Sequence, residues 1–191
     1  MADALALRGP LDGRALPSGE SFAIALAPKA ARFILRGDSA IAGWIAQAFG
    51  AAPATAPMRA AEGGSRFALW LGPDEWLLAA PGEEAAALGA ALEAALTDAP
   101  HSLVDVSHRQ IGLELSGENA ALALNAGCPL DLREAAFPVG MATRTMLAKT
   151  EIVLWRRAPS RFHVEVWRSF ADFAVSYLTE AALRAPARRP A

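Results

Sequence analysis

The amino-acid sequence predicts an α+β fold in which one strand–helix unit is used twice. Three matched observations carry this reading. Leu35-Arg36-Gly37-Asp38-Ser39-Ala40, a strand end running into a helix start, has a counterpart in Leu115-Ser116-Gly117-Glu118-Asn119-Ala120. The hairpin segments 67–70 and 76–78 are matched by 152–155 and 162–167, and the first arm of each closes on a tryptophan, Trp70 or Trp155. The acidic helix from Glu83 is matched by a helix from Ser169. Each half spells β-α-β-β-α, with a closing strand clear only in the first. The fold class is therefore α+β, tandem ferredoxin-like split β-α-β repeats. The halves are expected at 21–107 and 108–184, packed as one compact unit between an extended arm, 1–20, and a short basic tail, 185–191.

In chain order, the arm carries Gly, Pro and Ser without periodicity, and Leu5, Leu7, Leu11 and Leu16 give it something to bury along a partner. Residues 22–26 alternate as a strand and 32–36 form a second. Gly37-Asp38-Ser39 opens helix 40–49, whose Ile41, Trp44, Ile45 and Phe49 share a face. Residues 51–64, rich in Ala, Pro and Gly, read as a long loop. Strands 66–71 and 76–80 are joined by Gly72-Pro73-Asp74-Glu75. Glu83 and Glu84 lie at the positive end of the next helix, along which Leu88, Leu92 and Leu96 recur. Residues 102–107 close the first half, with Val104 and Val106 on its buried face. The polar turn Ser107-His108-Arg109-Gln110 leads to strand 111–115 and the small apolar helix 120–126. Gly127 is expected to supply the positive φ that ends this helix, and Pro129 to prevent its resumption. An insert, 129–146, precedes the second hairpin.

A chain of 191 residues with 53% hydrophobic and 20% charged residues is long and apolar enough for a sizeable core. Its formal net charge of −2 argues against a nucleic-acid binder that relies on clustered Lys and Arg. A single cysteine, Cys128, leaves no internal disulfide and no multi-thiolate metal site. Neither a secretory signal nor a run of eighteen uncharged apolar residues is evident, so a soluble, cytoplasmic protein is expected.

No catalytic constellation emerges. Asp105, Ser107 and His108 lie too close on one strand for a triad, which is assembled from distant segments. His101 is expected in an exposed loop. His163, opposite Phe162, Val164 and Val166, is expected to face solvent or a partner. Cys128 follows a helix C-terminus, where a thiolate is disfavoured, and reads as a core thiol. Asp105, Asp131 and Glu134 qualify as acid–base candidates only by nearness in sequence. There is no Walker loop or dinucleotide fingerprint, and the glycine turns at Gly37-Asp38 and Gly117-Glu118 place acids where phosphate would sit. Trp70, Trp76, Trp155 and Trp167 fall on hairpin strands and Trp44 on a helix. Trp155-Arg156-Arg157 and Trp167-Arg168 pair the two residue types favoured at interfaces.

The segments CPLDL, FPVG, TRT, EIVLWR and FHVEVWRSFADF, linked over residues 103–180, together with GPDEWLL at 72–78, resemble the gamma subunit of heterotetrameric sarcosine oxidase. That resemblance implies a fold similar to the N-terminal part of folate-dependent aminomethyltransferases. It also implies a subunit with no cofactor of its own, in a complex that demethylates sarcosine oxidatively to glycine. The products are hydrogen peroxide and formaldehyde or 5,10-methylenetetrahydrofolate. FAD, FMN, NAD and tetrahydrofolate are implied on the alpha and beta subunits and zinc on delta. No active-site residue carries over. Ser107, His108, Arg109, Gln110, Arg144, Lys149, Trp155, Arg156, Trp167 and Arg168 are the expected interface, chiefly with alpha. The alternative of a stand-alone folate-binding aminomethyltransferase-like protein is disfavoured, because its KGCYxGQE-like segment is absent and the cysteine lies in AGCPLDL. A small-molecule-sensing regulatory domain is a third class.

Overall fold

A computed structural model describes residues 9–184. The first half contains strand β2 (Ala30–Gly37), helix α1 (Ile41–Phe49), strands β3 (Ala60–Gly63), β4 (Arg66–Gly72) and β5 (Glu75–Pro81), helix α2 (Ala85–Ala95) and strand β6 (His101–Asp105). The second contains β7 (Gln110–Ser116), α3 (Ala120–Asn125), β8 (Ala142–Leu147), β9 (Thr150–Ala158), β10 (Arg161–Trp167), a 3-10 turn (Arg168–Phe170) and α4 (Ala171–Arg184). Ahead of both runs β1 (Ala23–Leu26).

The strands form two antiparallel sheets, ordered β3-β4-β5-β2-β6 and β8-β9-β10-β7-β1. Position by position these are the same sheet, the ferredoxin-like strand order with one added edge strand. The duplication expected from sequence is therefore present. The sheets lie face to face. Phe67, Leu69 and Leu77 of one pack with Val153 and Trp155 of the other. Helices cover the outer faces: α1 and α2 through Ile45, Phe49 and Leu92, α3 and α4 through Leu124, Val175 and Leu178. Asp38 accepts a hydrogen bond from the Ala40 amide at 2.8 Å, so the expected helix start at Gly37-Asp38-Ser39 is built as read.

Where the repeats meet, Arg59 bridges Met141. The Ala60 amide donates to Gly140 O and the Ala142 amide to Met58 O, both at 3.0 Å, so the bridge is formed by equivalent positions of the two halves.

Six expectations are corrected. Strand β1, assigned to the first half, pairs with β7 of the second, Ile24 opposite Leu115. It supplies the closing strand that the second half lacks, and its apolar face continues that half's core through Phe22 and Ile24. The loop 51–64 contains β3 and the insert 129–146 contains β8. Both are outermost strands with only one paired edge, and Ala-Ala-Glu-Gly in β3 has little intrinsic strand preference. Residues 9–20 of the arm lie on their own chain: Leu11 is buried, and Arg14 pairs with Asp172 and donates to Ser176 at 2.9 Å. Residues 1–8 of the arm, with Leu5 and Leu7, and the tail 185–191 lie outside the described residues. Gly127 is not a left-handed cap. It is small because a Cβ there would lie 2.7 Å from the Tyr177 ring and 2.9 Å from the Ala148 amide. Finally, Val104 on edge strand β6 is half exposed, and only Val106 just beyond the strand is buried.

Candidate functional site

Between the sheets runs a chain of charges. Arg32 on β2 donates through Nε to Glu165 Oε2 on β10 at 2.8 Å, and through Nη1 to Ala30 O at 3.2 Å. His163, two residues before Glu165, faces Glu165 through Nε2 at 2.9 Å and Glu114 of β7 through Nδ1 at 2.7 Å. Arg157 at the end of β9 reaches Glu114 at 3.4 Å and Glu62 of β3 at 3.2 Å. Arg32, His163 and Glu165 are all at least 97% buried. His163 was expected to face solvent or a partner, and instead it faces the other sheet of its own chain. The alternation along β10 is as read, but its second face is covered by the other sheet. The imidazole stands 5.1 Å from the Phe67 ring, and Gly112 permits the approach: a Cβ there would lie 2.7 Å from the imidazole Cε1.

With a carboxylate on each ring nitrogen, both nitrogens must donate, which makes His163 an imidazolium. Burial opposes that charge, but hydrogen bonds and attraction from Glu114 and Glu165 outweigh it and raise the His163 pKa. Burial likewise opposes ionised Glu165, and the His163 hydrogen bond with the charges of Arg32 and His163 holds its pKa below the ordinary value. A histidine with a raised pKa stabilises fully below its unfolded value, about 6.5, and loses that contribution as pH climbs toward the folded value. Folding stability of the full chain should therefore fall above about pH 6.5 with a slope approaching 1.4 kcal/mol per pH unit, one proton released on unfolding. In His163→Gln this component of the slope should vanish. A parallel pH profile for the two proteins in denaturant titrations would refute the assignment. The carboxylates act at the other end, their contribution disappearing as pH drops through their lowered values. This centre is a clasp between sheets. It has no nucleophile.

The polar turn is also structural at its start. Ser107 donates its hydroxyl and its amide to Asp105 Oδ1 at 2.5 and 2.8 Å and accepts from the Arg32 amide at 2.9 Å. The Ser107 hydrogen bond, first, and His108 hold the Asp105 carboxyl below its ordinary pKa. No triad forms. His108 and Arg109 are exposed. The Arg109 guanidinium lies over the Trp167 ring at 5.8 Å, and the Arg168 amide donates to Arg109 O at 2.9 Å. The structure thus joins Ser107, His108 and Arg109 with Trp167 and Arg168 on one face, with Trp167 40% exposed.

Other expected interface residues are elsewhere. Gln110, opposite Trp167 in the ladder, is 4% exposed. Trp155 and Arg156 are buried, contrary to expectation, because β9 is covered on one face by the first sheet and on the other by the segment after α3. Arg156 donates to Pro159 O at 3.0 Å and to Leu132 O, lies 4.6 Å over the Phe162 ring, and has its pKa lowered by burial. Arg144 turns to Glu75 at 2.7 Å, tying β8 to the first half. Lys149 lies 4.7 Å over the Phe173 ring. His101 is not a loop residue: it begins β6, part-buried, with Nδ1 2.8 Å from Ala99 O and Nε2 2.9 Å from Glu93. Cys128 is buried as expected. Arg32, Glu114 and Glu165 were missed, although a signal exists: His163 and Glu165 occupy alternate positions of β10 opposite its apolar face.

A cleft of about 290 Å³ opens between the β1–β2 link and this turn, lined in part by Lys29, Arg32, Ser107, Gln110, Ile111 and Arg168. Among the described residues no cluster of His, Cys, Asp and Glu could hold a metal ion, and no helix is long and apolar enough to cross a membrane.

Fold and site together define a duplicated α+β scaffold of the aminomethyltransferase type, with a charge clasp at its centre. At 13% identity the aminomethyltransferase T of the glycine cleavage system from Bartonella henselae shares that fold, with a TM-score of 0.62 over 81% of this chain and 44% of that one. The chain belongs to the sarcosine oxidase gamma subunit family, which it matches over residues 4–184. Sarcosine oxidase subunit gamma of Corynebacterium sp. strain P-1 is 43% identical over 113 residues, 59% of this chain, and the Arthrobacter sp. protein is 41% identical over the same length. The match spans about half the length of these curated relatives, 55% in both. A chain in the heterotetrameric sarcosine oxidase of Corynebacterium sp. U-96, in complex with pyrrole 2-carboxylate, is 31% identical with a TM-score of 0.85, covering 97% of this chain and 99% of that one.

Proposed function

We propose that this chain is a non-catalytic, cytoplasmic gamma subunit of a heterotetrameric sarcosine oxidase. It braces the alpha, beta and delta subunits, chiefly alpha. They carry FAD, FMN, NAD, tetrahydrofolate and zinc and demethylate sarcosine to glycine, with hydrogen peroxide and formaldehyde or 5,10-methylenetetrahydrofolate as products. The observation that most supports this is the superposition of nearly the whole chain on a chain of the Corynebacterium heterotetramer. The docking face is the exposed group His108, Arg109, Trp167 and Arg168 beside half-buried Ser107, where a cation stacked on a half-exposed tryptophan has the composition of an interface hot spot.

Arg109→Glu combined with Trp167→Ala should cut recovery of the co-expressed complex on a tagged gamma chain at least about tenfold, the loss expected of a hot spot. Flavin absorbance of the eluate reports it. Unchanged recovery would remove this face from the interface. Turnover of a methylated amine by the purified chain alone would overturn the non-catalytic role.

A further inference from the structure

We infer that the cleft over Arg32 binds a small organic carboxylate with a neutral N–H or O–H donor, of the N-acyl amino acid or hydroxy-acid class. Three features specify this chemistry. Among the described residues no Asp or Glu lines the cleft, whereas Lys29 and Arg32 do. Arg32 is 3% exposed and is held in place by Glu165 and Ala30 O, so its guanidinium is fixed before any ligand arrives. Gln110 is 4% exposed, lines the cleft, and its Oε1 has no hydrogen-bond donor. Buried amide oxygens are otherwise almost always paired, so an unpaired one beside a cavity marks a place for a donor.

Ser107 and His108 add polar groups to the wall, and Pro10, Leu26, Pro28 and Ile111 make up an apolar side. A ligand is thereby read in three parts. Its carboxylate meets Lys29 and Arg32, its donor meets Gln110 Oε1, and its hydrocarbon body lies on Leu26, Pro28 and Ile111. A free amino acid is disfavoured because its ammonium would meet Lys29 and Arg32 with no carboxylate among the described lining residues to receive it. The volume suits a molecule of roughly ten to fifteen non-hydrogen atoms, at the small end of ligand sites. The cleft borders the proposed docking face and shares Ser107, His108 and Arg168 with it, but the hot spot of that face, Arg109 and Trp167, is not among the residues lining the cleft.

The test is titration of the full chain, and of the co-purified complex, with hippurate (N-benzoylglycine), followed by calorimetry or ligand-observed NMR. Saturable binding is expected, weakened about tenfold in Gln110→Leu by loss of the paired amide and about fivefold in Lys29→Gln. Benzamide, which lacks the carboxylate, and glycine should not compete. The inference is overturned by absence of hippurate binding up to about 10 mM, the weak limit for a ligand of this size, in both preparations. It is also overturned by unchanged affinity in Lys29→Gln, a surface change that spares the fold, or by equal displacement with inorganic phosphate. Because binding is read on the chain without partners, its failure leaves the docking reading intact, and failed docking leaves this site intact.

Discussion

Glu165→Leu is expected to lower folding stability by about 3–5 kcal/mol, the cost of removing one partner from a buried ion pair. Glu165 is fully buried and accepts from Arg32 at 2.8 Å and from His163 at 2.9 Å. Its loss leaves a guanidinium and an imidazolium, both at least 97% buried, without the carboxylate between them, and His163 then sheds its proton. Denaturant midpoints with an unchanged slope would read the effect. Glu165→Gln keeps the shape and one acceptor but not the charge, and should fall between leucine and wild type. The double change Arg32→Met with Glu165→Leu should recover part of the loss, since two apolar side chains can replace a buried pair with little penalty. A cost below about 1 kcal/mol for Glu165→Leu would place the pair in water, where such contacts contribute little.

Trp155→Ala should cost a similar amount, about 3–5 kcal/mol for emptying a large aromatic from a core. Trp155 is 1% exposed, its ring 5.2 Å from that of Phe67 across the two sheets, with Arg157 stacked 4.7 Å above it. Its indole N–H has no acceptor, so the residue serves by volume and not by hydrogen bonding. Trp155→Phe should therefore cost less than about 1.5 kcal/mol. Equal losses for alanine and phenylalanine would assign the indole nitrogen a role that the packing does not show. A neutral alanine substitution would return Trp155 to the surface interface where its neighbour Arg156 first suggested it.

Strand alternation and the repeated Leu-Arg-Gly-Asp and Leu-Ser-Gly-Glu segments made the duplicated unit legible, because both are local patterns. What covers each face is not local. The alternation of Phe162, Val164 and Val166 with His163 and Glu165 correctly separates two faces of β10, but a sheet packed on the polar one looks the same in sequence as water. The same limit moved Trp155 and Arg156 from an expected surface to the interior. Within the turn, Arg109 and Gln110 were both expected at an interface, yet Arg109 is exposed whereas Gln110 is buried, a difference that adjacent polar residues do not announce. Pairing partners are also invisible locally: Phe22 to Leu26 reads as a strand, but nothing in it names β7. Strands β3 and β8 escaped for a further reason, being held by one neighbour each.

The attachment of β1 to β7 has a consequence for how the molecule is made. On the ribosome β1 is synthesised first, yet its slot exists only after the whole first sheet has been translated. The opening sheet can condense from contiguous chain, while β1 must be kept soluble until its partner in the later sheet is made. Synthesis order thus leaves β1 unpaired until β7 follows the first sheet into being.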